Sequence, residues 1–176
     1  ALLNAYFEGL TGAIQAKGGE VLKFIGDGLL AVFPIGPETS APDAARNALA
    51  ASTEALASIQ QINTDPPALL QSSDDWKPLA MGLALHAGQV FFGNIGSPDR
   101  LDFTVIGPAV NVAARVEAMT KDLQSPLLVT EPVATLLHKE LVSLGSYALR
   151  GITEPVQLFA PRKTEAKKLS LIHISE

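Results

Sequence analysis

The chain has 176 residues, 47% of them hydrophobic, and a mean hydropathy of +0.24, enough to bury one sizeable core in one domain. A formal net charge of −5 and 13 scattered Lys and Arg leave no basic stripe to track a phosphate backbone, so nucleic acid is not an expected partner. With no cysteine there can be no disulfide, thiolate metal site or Cys nucleophile; this suits a reducing compartment, and the cytoplasm is the expected location.

No apolar stretch is long enough to cross a bilayer, and the start Ala1-Leu2-Leu3-Asn4-Ala5-Tyr6 lacks the charged region and cleavage site of a signal peptide. Any membrane tether is therefore expected from segments outside this chain. Leu3, Phe7, Leu10 and Ile14 recur at helical spacing, and Gly18-Gly19 supplies a stop, which predicts an amphipathic helix over 2–17. The pattern is already running at Leu3 with no initiator Met, so the chain is expected to begin inside a domain. Glu20 to Ile25 and Leu29 to Phe33 flank Gly26-Asp27-Gly28 and predict a hairpin. Ser40 with Asp43 resembles a capping box, and Ala45, Leu49, Ser52, Leu56 and Ile59 define one face of the longest helix.

Residues 63–78 carry Pro, Ser and Asp in loop proportions. Leu79 to His86 and Val90 to Ile95 read as strands turning at Ala87-Gly88, with Leu101 to Ile106 continuing or following the second. Gly107-Pro108 opens a helix whose buried face is Val112, Val116 and Met119. A strand at Leu127 to Thr130, a short helix near Pro132 to His138 and a hairpin from Leu141 to Phe159 follow. Helices interspersed with hairpins predict an α+β sandwich rather than a doubly wound sheet. After a linker over 162–168, the run 169–176 has no turn chemistry before it. It resembles translated sequencing adapter and is expected to be a non-native tail.

Few side chains stand out for chemistry. Strict alternation would put Lys23 on the face of Val21 and Ile25, where a cation either snorkels to solvent at an edge or donates to a ligand. Asp27 in a tight turn needs no function to be there, yet a carboxylate so displayed is also how Mg²⁺ is held beside substrate phosphates. Asn111 and Arg115 stack one helical turn apart beside the apolar stripe; they read as a solvated flank or as donors to phosphate oxygens.

The alternatives separate when segments are taken together. Lys23-Phe24-Ile25-Gly26-Asp27, Gly93-Asn94-Ile95-Gly96-Ser97 and the run from Asp102 to Glu117 resemble the ordered motifs of class III nucleotidyl cyclase catalytic domains. Leu149-Arg150-Gly151-Ile152-Thr153-Glu154-Pro155-Val156 is similar to the closing hairpin of that family. The resemblance covers residues 1–161 and implies a ferredoxin-like α+β domain with an antiparallel-rich sheet covered by helices, its first strand missing here.

It further implies an adenylate cyclase that turns ATP into 3′,5′-cyclic AMP and pyrophosphate, with two Mg²⁺ or Mn²⁺ per site. Asp27 matches the second of two metal-binding aspartates. The first belongs to a strand upstream of the opening helix, so these 176 residues alone are expected to be inactive. Lys23 matches the base-selecting position and would donate to adenine. Thr104 stands at its partner position, where many relatives carry aspartate, and a hydroxyl there can accept from the adenine amino group. Asn111 matches the residue that orients the ribose and Arg115 the one that binds the α-phosphate. Arg150 and Arg100 lie near phosphate-binding positions, although each also reads as a solvated surface arginine. His86 falls in a family-like stretch without a catalytic role and reads as structural. The resemblance implies a homodimer with sites shared at its interface. A non-catalytic cyclase-like dimerisation or sensor domain and a guanylate cyclase remain as alternatives.

Overall fold

In a computed structural model, which describes residues 2–71, 76–98, 100–137 and 141–162, the chain opens with α1 (Leu2–Ala16). Its buried residues Leu10, Ala13 and Ile14 occupy the predicted face. The helix ends in a Schellman turn: Gly18, at φ +78°, donates to the Gln15 carbonyl, and Gly19 to the Ile14 carbonyl at 2.9 Å. A β-carbon on Gly19 would lie 2.7 Å from both Ile14 and the Phe33 ring, so the chain turns into its first strand through a gap only glycine fits.

β1 (Glu20–Ile25) and β2 (Gly28–Val32) form the predicted hairpin, closed by Gly26 and Asp27 with Ile25 paired to Gly28. Strict alternation along β1 fails. The register shifts between Val21 and Lys23, leaving Leu22 as an extra residue. Val21 and Leu22 are therefore both half-buried, while Lys23, Phe24 and Ile25 beyond the bulge are exposed. Lys23 thus avoids the cost of a cation on an apolar face.

α2 (Ala41–Thr64) is capped as its sequence predicts: the Asp43 amide donates to Ser40 Oγ at 3.3 Å, and Ser40 Oγ donates to Asp43 Oδ2 at 2.6 Å. Its buried face, including Ala45, Leu49, Ser52, Ala55 and Ile59, packs on α1 and on the sheet. The loop expected from residue 63 starts later and contains one helical turn, α3 (Ala68–Gln71). Asn63 pins the two ends of this excursion, donating to the Leu79 carbonyl and accepting from the Leu79 amide.

The expected hairpin around Ala87-Gly88 does not form. β3 (Leu83–Leu85) is short and pairs in parallel with β6 (Leu127–Thr130), whereas β4 (Phe91–Ser97) pairs with β5 (Arg100–Ile106) in a separate antiparallel ribbon. β3 ends opposite Val129, one residue before β6 does, and residues 86–90 pass from one sheet to the other. α4 (Pro108–Glu117) follows, then β6, α5 (Glu131–Ala134), β7 (Leu141–Tyr147) and β8 (Val156–Pro161). The main sheet has the order β3-β6-β8-β7, with β8 antiparallel to both neighbours. The linker beyond Arg162, the tail over 169–176 and His138 lie outside the described residues.

β6 is the keystone because both its faces are covered. Leu127 and Val129 pack with Ala45 and Leu49 of α2 and with Val133 and Leu137, while Leu128 packs with Val116 of α4 and Leu158 of β8. Leu128 has no exposed surface, so Leu128→Ala should lower the unfolding free energy by about 2–5 kcal/mol, read as a shifted urea midpoint with unchanged slope.

Candidate active site

Five of the seven residues singled out from the sequence are exposed, and four of these sit on β1, the hairpin loop and α4. Lys23 is exposed on β1, opposite Leu30. Asp27 is exposed in the hairpin loop, where Gly26 takes the positive φ of +61° and so spares Asp27 from it. Asn111 and Arg115 are exposed on α4, away from Val116, which is fully buried, and from Val112 and Met119, which pack beside it. Among the described residues none of the four is in an ion pair. Exposed donors and a carboxylate without partners cost the fold little and stay available to a ligand.

Thr104 lies on β5 opposite Gly93, and β5 runs beside β1, so the strands of Lys23 and Thr104 are neighbours in one chain. Arg100 starts the same strand opposite Ser97. Arg150 is exposed in the turn after β7, beside buried Leu149 and next to Gly151 at φ +78°. It follows the edge strand of the main sheet, and its neighbour Leu149 shares a buried cluster with Val116 of α4.

Two features went unread in the sequence. Tyr6 of α1 is held above the ordinary phenol pKa, first by burial and then by the negative charges of Asp27 and Glu117. The hairpin tip and the end of α4 therefore both lie within electrostatic reach of one hydroxyl. The aromatic spacing of α1 could reveal packing there but not the approach of two remote carboxylates. The second feature is a hydrogen-bonded pair beneath α4: His86 Nδ1 and Thr130 Oγ1 are 2.8 Å apart, and Thr130 Oγ1 donates to the Leu85 carbonyl at 3.3 Å. His86, read from sequence as structural, is held by a threonine 44 residues away.

Burial pushes the His86 imidazole below its ordinary pKa, so the folded state favours the neutral ring. The unfolded chain takes up this proton at a higher pH than the folded one. Its contribution to stability is then fully present above the unfolded value of about 6.5 and is lost as pH falls toward the folded value. The urea midpoint of the wild type should drop between about pH 7 and pH 5 more steeply than that of His86→Asn. Equal slopes would show that the ring titrates alike in both states.

A divalent cation would find one carboxylate here. Asp27 has the right chemistry for a hard ion, and among the described residues no group of three or more His, Cys, Asp and Glu gathers into a site. No helix among the described residues is long and apolar enough to cross a membrane.

The arrangement has clear counterparts. An adenylate cyclase of Anabaena cylindrica is 33% identical over 156 residues, covering 89% of this chain and 29% of that protein. A terminal-differentiation-specific adenylate cyclase of Dictyostelium discoideum is 28% identical, over 89% of this chain and 7% of its own length. The chain thus spans under a third of either curated relative. A bacterial light-regulated adenylyl cyclase superposes with a TM-score of 0.71 at 29% identity, covering 97% of this chain and 48% of that one. A guanylyl cyclase structure superposes with a TM-score of 0.70 at 26% identity, covering 93% and 82%. The sequence model for the adenylate and guanylate cyclase catalytic domain matches residues 1–161, and the chain belongs to that family.

Proposed function

We propose that this domain converts ATP to 3′,5′-cyclic AMP and pyrophosphate, working as a homodimer whose sites lie between two copies. The observation that carries this reading is the pair Asn111 and Arg115, exposed and in no ion pair among the described residues, on a helix anchored by Val116 in a cyclase domain. Asn111 would orient the ribose, so that its 3′-oxygen bonds to the α-phosphorus while the bond to the bridging oxygen of pyrophosphate breaks. Arg115 would stabilise the charge that gathers on the α-phosphate during that exchange, a donor fixed in advance by its helix. When bound at Asp27, divalent cations supply activation of the attacking oxygen and neutralisation of the leaving group. Arg100 and Arg150 would serve as supplementary phosphate contacts.

Lys23 supports adenine over guanine. An exposed ammonium only donates, which suits the bare N1 of adenine and not the protonated N1 of guanine; on the neighbouring strand, Thr104 would accept from the adenine amino group. The relatives named as adenylate cyclases agree with this preference. A dimer is supported by apolar surface in the same region: Phe24 and Ile25 on β1 are 52% and 59% exposed, and Phe91 and Ile106, paired at the base of the ribbon, are 63% and 50% exposed. Large apolar side chains grouped this way mark a surface that a partner covers.

The test is product formation by the full-length protein given ATP or GTP with Mg²⁺ or Mn²⁺. Cyclic AMP in clear excess over cyclic GMP is expected. Predominant cyclic GMP would make it a guanylate cyclase. A folded dimer that forms neither product would be a non-catalytic cyclase-like module.

A further inference from the structure

The start of α4 is wedged rather than capped. Gly107, at φ +148°, offers no side chain to the helix, and a β-carbon there would lie 3.0 Å from the Gln89 carbonyl oxygen. A β-carbon on Gly88 would lie 2.8 Å from Ala109 Cβ and 3.4 Å from His86 Nε2. Gly88 therefore passes between the His86 ring and the first turn of α4, so close to Ala109 that only glycine fits.

The imidazole itself is clamped. Thr130 occupies the N-cap position of α5, yet its side chain makes no cap bond. The hydroxyl has one proton and gives it to the Leu85 carbonyl, so it accepts from His86. That network assigns the ring proton to Nδ1 and leaves Nε2 as a bare lone pair on the side of Gly88. Thr130 has no exposed surface, so its hydroxyl has no water to fall back on. The apolar stripe of α4 holds the helix on the sheet, but apolar packing is non-directional and resists sliding along the helix axis only weakly. A hydrogen-bonded ring behind the first turn supplies the missing stop.

We propose that His86 is a positioning residue for cyclisation: clamped by Thr130, its ring holds Gly88 against Ala109 and so sets where α4 presents Asn111 and Arg115. The inference rests on the reading that α4 meets the nucleotide. A slip of one residue along the helix is about 1.5 Å, and displacements near 1 Å can cost on the order of 10²-fold in rate.

The experiment compares His86→Ala, His86→Asn and Thr130→Val in the full-length protein by steady-state kinetics and by amide hydrogen exchange. His86→Ala and Thr130→Val should lower kcat by about tenfold or more with little change in KM, and should speed exchange over 110–116 relative to α2. Asparagine can donate from near the place of Nδ1, so His86→Asn should recover most of both losses. Thr130→Val, nearly isosteric, carries the test should His86→Ala fail to fold. Exchange that rises equally in α2 and α4, or an asparagine variant no better than alanine, overturns the positioning role. Exchange that rises in α4 with kcat unchanged leaves the clamp standing and refutes instead the assignment of Asn111 and Arg115 to the reaction.

Discussion

Arg115→Ala in the full-length protein is expected to lower turnover about 10²–10³-fold while leaving the melting temperature almost unchanged. The large effect follows from what the residue would touch: a fixed guanidinium aimed at charge that develops only in the transition state lowers the barrier without tightening the ground state. The small effect follows from where it sits. Arg115 is exposed in the last turn of α4 and has no ion-pair partner among the described residues, so truncation removes only a modest helix-dipole interaction. Asn111→Ala should behave alike, because alanine is the better helix former at an exposed position. Initial rates beside thermal melts decide the matter, and near-wild-type turnover from either variant would remove α4 from the site.

Mixing inactive Asp27→Ala with inactive Arg115→Ala should restore about a quarter of the wild-type rate, provided subunits exchange freely. Half the dimers would then be mixed, and each mixed dimer keeps one site whose Asp27 and Arg115 are both native. Such recovery requires the metal carboxylate and the phosphate-binding arginine of one site to come from different copies. It also explains how Lys23 and Asp27, four residues apart on one exposed hairpin, can do unrelated work: each would face a different site. An unmixed level of activity after exchange, checked by co-purification of differently tagged chains, would mean that each copy builds its site alone.

The motifs that were legible in the sequence are those whose meaning is local. The capping box at Ser40 and Asp43, the Gly18-Gly19 stop and the stripe Val112, Val116 and Met119 were readable because helix periodicity and cap chemistry act within a few residues. The hairpin at Gly26-Asp27 was readable for the same reason, but the bulge one turn earlier was not. Alternation assumed an unbroken ladder and so placed Lys23 on the face of Val21, when the extra residue Leu22 resets the register and turns Lys23 outward. The pairing of β3 was misread likewise. Leu79 to Ile95 has the composition of two adjacent strands, yet β3 prefers the fully buried β6, more than 40 residues away, because burying both faces of β6 is worth more than a local turn.

By itself, the amino-acid sequence determined the family, the helices α1, α2 and α4 and the hairpin that carries Asp27, and it singled out Lys23, Thr104, Asn111 and Arg115 as the residues proposed for the site, since order and spacing along the chain carry all of these. Only the tertiary structure decided that β1 lies beside β5, that Tyr6 feels both Asp27 and Glu117, and that His86 reaches Thr130 behind the first turn of α4. These are contacts between segments tens of residues apart. Burial and directional hydrogen bonds select them among many compatible pairings, and no local pattern records the choice.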